Sequence, residues 1–394
     1  MVGRSSSRLA ALLFGVAVPV LVVATSMQGA RACTAVFVSA GDAVLVGNNE
    51  DASMPLSKVW VVPGEGGKYS RLCLGYASDN NIQGGVNEKG LWFDSFSVDA
   101  KPVAASPGQK VFEGDMHDKI MAECATVEEA VALLRRYSNP FLSDNMLMVG
   151  DRTGASAIIE GNAVLLRRGP YQIITNFRQS EHPDGRAVCG RYRVAEAMLK
   201  ADPHVTIDGM RKILAAVHQE GHVSTVYSYI CDLRNGKLYL YHFHNFENVV
   251  VLDVKQELAK GRHSQSLPEL FPTTFAADEF ASQSAAALEV MKAARRYQQF
   301  DPKTYPGFAG RYVVNSPAAM AGVTVVVTAG KDCLLAELSD GNVRELIPES
   351  SARFSVWEPD HRGTFVTFLR DQAGKVTGFV ADTRGGEISA TRAK

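Results

Sequence analysis

Residues 30–51 read ARACTAVFVSAGDAVLVGNNED. Two apolar runs, residues 35–38 and 43–46, flank the turn Ala40-Gly41-Asp42. This is a hairpin pattern, and it returns Asn48-Asn49-Glu50-Asp51 to the neighbourhood of Cys33. Upstream, Arg4 and Arg8 precede an apolar stretch over residues 9–25, and Ala30-Arg31-Ala32 follows as an A-x-A site, the three-part layout of an export signal. The apolar stretch contains Pro19 and is shorter than the roughly 20 residues that a spanning helix needs, so residues 1–32 are predicted to be a cleaved leader rather than an anchor. The mature chain is then exported, periplasmic or extracellular.

Cleavage after Ala32 would place a thiol and a basic α-amine on one residue. An α-amine titrates near about 8, so it can take the thiol proton without a separate histidine. In the uncut chain the same nitrogen is an amide with no basic lone pair, and the precursor is predicted to be inactive. Two other readings of Cys33 stay open at this stage. It could be the acylated cysteine of a lipoprotein, although Ala30 stands where such a site prefers a bulky aliphatic residue, or half of a structural disulfide.

The chain has 394 residues, 46% of them hydrophobic, with 41 Lys+Arg against 42 Asp+Glu. That composition fits about two globular domains and excludes a disordered or collagen-like chain. No basic cluster stands out, so nucleic-acid binding lacks its electrostatic footprint. Six cysteines, none in a C-x-x-C pair, argue against a disulfide scaffold and against cysteine-held zinc.

Period-two runs predict strands at residues 59–62, 90–93, 146–150, 155–160, 163–167, 172–175, 225–233, 237–242 and 248–252. Residues 84–89 read as a turn. Helical spacing covers residues 116–137, with Thr126-Val127-Glu128-Glu129 as a capping box for a second helix, and continues at 191–200, 207–217 and 278–299. Residues 261–274 read as a connector. After Asp301-Pro302, seven short β segments with turn signals about every 8–12 residues indicate a small antiparallel barrel or sandwich. The predicted organisation is an α+β domain over residues 33–300, with largely antiparallel sheets, and a small β-barrel domain over residues 301–394.

Several pieces in order resemble the choloylglycine hydrolase and penicillin V acylase family of N-terminal-nucleophile hydrolases. They are Cys33-Thr34, Gly47-Asn48-Asn49-Glu50-Asp51, Gly85-Val86-Asn87-Glu88-Lys89-Gly90-Leu91, Thr175-Asn176, Gly190-Arg191-Tyr192 and the stretch 227–241. The resemblance implies an αββα sandwich with the nucleophile at the end of a central strand. It implies a cofactor-free hydrolase that splits a linear, non-peptide C–N amide of a small N-acyl substrate through an acyl-enzyme, with no metal. Cys33 matches the nucleophile, Asp51 the carboxylate that holds the α-amine, Asn176 an oxyanion donor, and Arg191 a late arginine that should favour the thiolate, with Arg193 as the alternative. There are two departures. Asn48 stands where the family has arginine, and the second oxyanion donor falls by counting near Ser97. Asn48, Trp92 and Ser97 are the substrate-contact candidates, and Asn87 reads as a turn residue. The tail from Tyr305 resembles lipocalin-like β-domains appended to secreted hydrolases, which implies a packing or access-shaping role.

An acyltransferase would use the same acyl-enzyme, with an amine in place of water. A non-catalytic exported lipoprotein or binding protein is the rival if Asn48 and Ser97 mark a lapsed site. A membrane anchor is not expected, and a homo-oligomer stays open. His218 and His222, four apart, have a metal-compatible spacing without an evident third ligand, and His242 and His244 share a strand face; both pairs read first as ordinary histidines. Trp60, Trp92, Phe93 and Phe96 are candidates for an acyl pocket or for core. No G-x-S-x-G elbow is present.

Overall fold

The computed structural model describes residues 33–394 apart from 77–81, 111, 113, 222, 297–301, 331–332, 339–342, 357–363, 384–385 and 394. The leader and His222 lie outside the described residues. In chain order the first part comprises β1 (Thr34–Ala40), β2 (Ala43–Ala52), β3 (Ser57–Val62), β4 (Arg71–Tyr76), β5 (Ile82–Asn87), β6 (Leu91–Ser97), α1 (Met116–Glu123), α2 (Val127–Arg136), β7 (Asn145–Asp151), β8 (Ser156–Glu160), β9 (Ala163–Leu166) and β10 (Tyr171–Ile174). It continues with α3 (Gly185–Val188), α4 (Gly190–Ala201), α5 (Ile207–Ala216), β11 (Ser224–Asp232), β12 (Lys237–His242), β13 (Asn245–Asp253), α6 (Val254–Ala259), β14 (His263–Ser266) and α7 (Phe275–Arg296).

Two antiparallel sheets result, one ordered β10-β1-β2-β11-β12-β13 and the other β14-β3-β4-β5-β6-β7-β8-β9. Side-chain alternation shows how they stack. Ala35 and Phe37 of β1, and Val44 and Val46 of β2, share one buried cluster with Trp92 and Phe96 of β6 and Met146 and Met148 of β7. Val36, Val38 and Leu45 point the other way, onto Leu199 of α4 and Met210 and Leu214 of α5. Leu91, Phe93, Leu147 and Val149 turn their opposite face to Ile120 of α1 and Leu134 of α2. Both faces of each sheet are therefore covered, which is why these strands read as continuous apolar runs. The order of layers is helix, sheet, sheet, helix, the αββα sandwich that the resemblance implied.

Some expectations are corrected. Residues 84–87 belong to β5 rather than to a turn; only the step to Gly90 (φ 82°) reverses the chain. The glycines are there for close packing, since a Cβ on Gly84 would collide with the Asp94 carboxylate and one on Gly85 with the Leu72 carbonyl. Strand β4 went unread. The second helix expected from the capping box is present: the stretch 116–137 holds two helices, the second opened by the Thr126 hydroxyl, which accepts from the Glu129 N–H. The connector contains β14, which pairs with β3 at the sheet edge.

The C-terminal part is a closed barrel of eight strands, β15 (Gly310–Ser316), β16 (Thr324–Ala329), β17 (Leu334–Leu338), β18 (Val343–Pro348), β19 (Arg353–Val356), β20 (Phe365–Arg370), β21 (Val376–Thr383) and β22 (Gly386–Arg392). Each strand pairs with the next, and β22 pairs back onto β15, which removes both edges. The closing strand, half exposed and polar, was missed in the sequence. Phe308, Tyr312, Phe354, Phe368 and Phe379 fill the interior, with ring centroids such as Phe308–Phe354 at 5.1 Å and Phe308–Phe368 at 4.9 Å. Eight strands leave room for packed side chains, and aromatics occupy it here. Phe354→Ala is expected to destabilise the barrel by about 3–5 kcal/mol. Hydrogen exchange should show faster exchange across β15–β22 with protection in β1 and β2 unchanged; equal loss in both parts would show one cooperative unit.

Candidate active site

The site lies where β1, β2 and β10 of one sheet end beside β6 of the other. Register builds it. Thr34 pairs with Asn49 and Ala35 with Asn48 on β2, while Ala35 pairs with Ile174 on β10. Cys33 is thereby set beside Glu50 and Asp51 on one side and Thr175-Asn176 on the other. A bulge in β11 between Thr225 and Tyr227 keeps Thr225 opposite Asp51.

Arg191, in the first turn of α4, reaches across this end of the sheet. Its Nη1 donates to the Cys33 carbonyl at 2.7 Å and to the Thr34 hydroxyl at 2.6 Å, and its Nη2 donates to Asn176 Oδ1 at 2.9 Å. Asp51 Oδ2 lies 3.7 Å from the same guanidinium. Arg193 is exposed, so the geometry selects Arg191 of the two arginines. Asn176 spends one amide hydrogen on the Ser97 carbonyl at 2.8 Å. With Oδ1 turned to Arg191, its NH2 group faces the opposite way and keeps a second hydrogen to donate. The loop behind it is held by buried Glu160, which accepts from the N–H groups of Gln179 and Ser180, and by Arg178, which donates to the carbonyls of Asp99 and Ser143.

Asp51 is fully buried. Oδ1 accepts from the Thr225 hydroxyl, and Oδ2 accepts from Gln219 Nε2 at 2.8 Å. Burial raises its carboxyl from 3.8 to about 7, against the pull of Thr225, Arg191 and Gln219. The Cys33 thiol accepts from the Asp51 backbone N–H but is held well above its ordinary value by burial and then by the charges of Glu50, Asp51 and Asp94. Arg191 places its guanidinium hydrogen bonds on the Cys33 carbonyl, Thr34 and Asn176, with Asp51 close by.

A buried polar network lies behind the thiol. Asn48 Nδ2 donates to Asp94 Oδ2 at 3.0 Å and to Glu50 Oε2 at 3.4 Å; the Tyr76 hydroxyl donates to Glu50 Oε1 at 2.7 Å; and the Tyr229 hydroxyl donates to Asp94 Oδ2. Asn48 thus bridges two carboxylates where the resemblance expected a cation. Burial, then the Glu50 charge, pushes the Asp94 carboxyl well up. Trp92 is fully buried between the sheets and donates Nε1 to the Tyr229 hydroxyl at 2.8 Å, so it is core that supports this network rather than pocket wall. Phe96 shares that core, while Trp60 and Phe93 face the helices. Ser97 is brought to the site, though its contact with Asn176 is made by its carbonyl. Asn87 is the buried last residue of β5 and braces the turn that follows: its side chain donates to the carbonyls of Met121 and Cys124 and accepts from the N–H groups of Lys89 and Leu91.

Sequence reasoning missed Thr225, Gln219, Asp94 and Cys189. Asp94 carried a signal, an acid inside the apolar run Leu91-Trp92-Phe93. Cys189 precedes α4. Half-burial raises its thiol, but the Thr175 side chain, the Tyr192 and Arg191 N–H groups and the Arg191 charge together hold it below its ordinary value. Cys33, Cys73, Cys124, Cys189 and Cys231 carry free thiols.

No family model and no curated protein matches the chain. Among solved structures it is similar to a variant of conjugated bile acid hydrolase from Clostridium perfringens, with 16% identity over 59% of this chain and 96% of that one at a TM-score of 0.48. It is also similar to penicillin V acylase from Agrobacterium tumefaciens, with 19% identity over 57% and 87% at a TM-score of 0.45. An N-acylethanolamine-hydrolyzing acid amidase ortholog from Caenorhabditis elegans is 14% identical over 60% and 100% at a TM-score of 0.39.

The Asp51 carboxyl yields a stability test. Between about 4 and about 7 the folded chain keeps a proton that the unfolded chain has released, so this residue's contribution to stability falls as pH rises through that window. Asp51→Asn does not titrate. Denaturant unfolding across this range should show the wild type losing up to roughly 4 kcal/mol relative to the variant; a constant difference would mean that Asp51 ionises freely.

Proposed function

We propose that this chain is an exported amide hydrolase whose nucleophile is Cys33, exposed as the first residue by cleavage after Ala32. The observation that supports this best is the convergence on Cys33 of the Asp51 N–H, the Arg191 clamp and Asn176 at one end of the central sheet.

The three buried carboxylates oppose loss of the thiol proton to solvent. They do not oppose its transfer to the α-amine of the same residue, because that step leaves the net charge of Cys33 unchanged while placing an ammonium among the acids. Asp51, held by Thr225 and Gln219, is the carboxylate best placed to orient that ammonium, which in turn favours its ionised form. The thiolate then attacks the carbonyl carbon of a linear, non-peptide N-acyl amide. The oxygen gains the charge, and the remaining Asn176 amide hydrogen is the donor offered to it. The ammonium returns a proton to the leaving amine, and water releases the acyl group from the thioester, regenerating Cys33. The uncut chain lacks the amine and is inactive in this scheme.

The test is intact mass and N-terminal sequencing of the exported protein before and after treatment with a thiol-directed acylating probe. One acyl group on a chain that starts at Cys33, absent in Cys33→Ala and retained in Cys189→Ala, is the expected result. A start elsewhere, a lipid on Cys33, or an adduct that persists in Cys33→Ala would overturn the reading. With an N-acyl substrate in hand, Asn176→Ala should lower kcat by about a hundred- to a thousandfold with little change in KM, as for loss of one oxyanion donor; a change confined to KM would make Asn176 a binding residue.

A further inference from the structure

The sequence pairs His218 with His222 and His242 with His244, but the structure sets His218 against His244. His218 follows the C-terminal end of α5, and His244 occupies the two-residue turn between β12 and β13. Their rings stack with centroids 4.9 Å apart at 28°, and Glu220 Oε1 lies 2.9 Å from His218 Nε2. One ligand atom from each of His218, Glu220 and His244 lies within 4.8 Å of the others.

Two details give this cluster a direction. His218 Nδ1 is 2.6 Å from the Ala215 carbonyl, which can only accept, so Nδ1 carries the hydrogen. In the neutral ring Nε2 then presents a lone pair to a carboxylate oxygen. Two acceptors at 2.9 Å need a positive charge between them, either a proton or a metal ion. A proton answers the contact at His218 alone; an ion shared by both rings and the carboxylate accounts for all three groups. An Nδ1–H bonded to a backbone carbonyl is also how metal-binding imidazoles are usually oriented. The second detail is the turn. Phe243 and His244 both have φ of 47°, in a left-handed region where such turns usually carry glycine or asparagine. Phe243 is buried against Phe280, centroids 5.0 Å apart, and this packing holds the turn that presents the His244 ring. Backbone held in that region by non-glycine residues is a common mark of a functional position.

We propose that His218, Glu220 and His244 bind one divalent transition-metal ion of the zinc class through two imidazole nitrogens and one carboxylate oxygen, with water completing a tetrahedron. Tetrahedral ligands at about 2.0–2.2 Å from such an ion lie roughly 3.4 Å apart, so binding opens the 2.9 Å contact between His218 and Glu220 slightly and draws in the ligand atoms that stand further apart, all of them within 4.8 Å. Rotation of Glu220, exposed on the surface, supplies that movement. Gln219 sits between two of the ligands, donates Nε2 to Asp51 Oδ2 and donates its backbone N–H to the Thr225 hydroxyl oxygen. An ion at this position would restrain the segment that presents Gln219 to Asp51. The proposal stands independently of the amide-hydrolase reading.

The test is titration of the full chain, stripped with a chelator, with zinc and with cobalt(II), following calorimetry and the visible cobalt spectrum. The expected result is one ion per chain with the absorption of a tetrahedral site. His244→Asn, which suits the left-handed turn, and Glu220→Gln, at an exposed position, should each weaken zinc binding at least about tenfold. His242→Ala and Cys189→Ala should leave it unchanged. Absence of binding, binding that survives His244→Asn, or binding lost in Cys189→Ala would each overturn the proposal; the first would leave a plain ion pair between His218 and Glu220.

Discussion

The guanidinium of Arg191 joins four segments that are far apart in the chain: the start of β1, the end of β2, the loop after β10 and the first turn of α4. It does so with planar, fixed donors, which is what allows one side chain to fix a carbonyl, a hydroxyl and an amide at once. Around it Glu50, Asp51 and Asp94 are all buried. Burial is the largest cause of the raised Cys33 thiol and Asp51 carboxyl, and the neighbouring acids add to it. The thiol is held protonated, Asp51 is raised, and Asn48 links Glu50 and Asp94 by hydrogen bonds without neutralising either.

The parts of the fold that could be read in the sequence are those whose burial is two-sided. Residues 35–38, 43–46 and 146–149 are apolar without interruption because neighbours cover both faces, and that pattern survives in a single sequence. What could not be read has polar or glycine-rich sequence for reasons of packing. Strand β4 opens with Arg71, whose charge is met by Asp118 at 2.5 Å, and β5 uses glycines to admit Asp94 and the backbone of β4. Strand β14, His-Ser-Gln-Ser, is polar throughout and joins the sheet by pairing with β3. None of these carries a period.

In the site, Cys33, Asp51, Asn176 and Arg191 were legible because they sit in short motifs, and the fold gathers all four. Gln219 and Thr225 were not, since each acts through a contact with Asp51 made from 168 and 174 residues away. The sequence shows the positive charge of Arg191 but not the acceptors that take its hydrogen bonds. Trp92 was legible as an aromatic strand residue and ambiguous in its facing, and register with β7 turns it inward.

The pairing of β1 also governs when the surroundings of Cys33 can form. Its first partner, β2, is local, but β10 is supplied from residues 171–174, Arg191 from beyond that, and the β11 partner of Asp51 from residues 224–232. Such non-local contacts form late, because the entropy of closing long loops must be met before they contribute. A nascent or partly folded chain therefore carries an ordinary cysteine near its start. The surroundings of Cys33 are complete only once β10, α4 and β11 have joined β1 and β2.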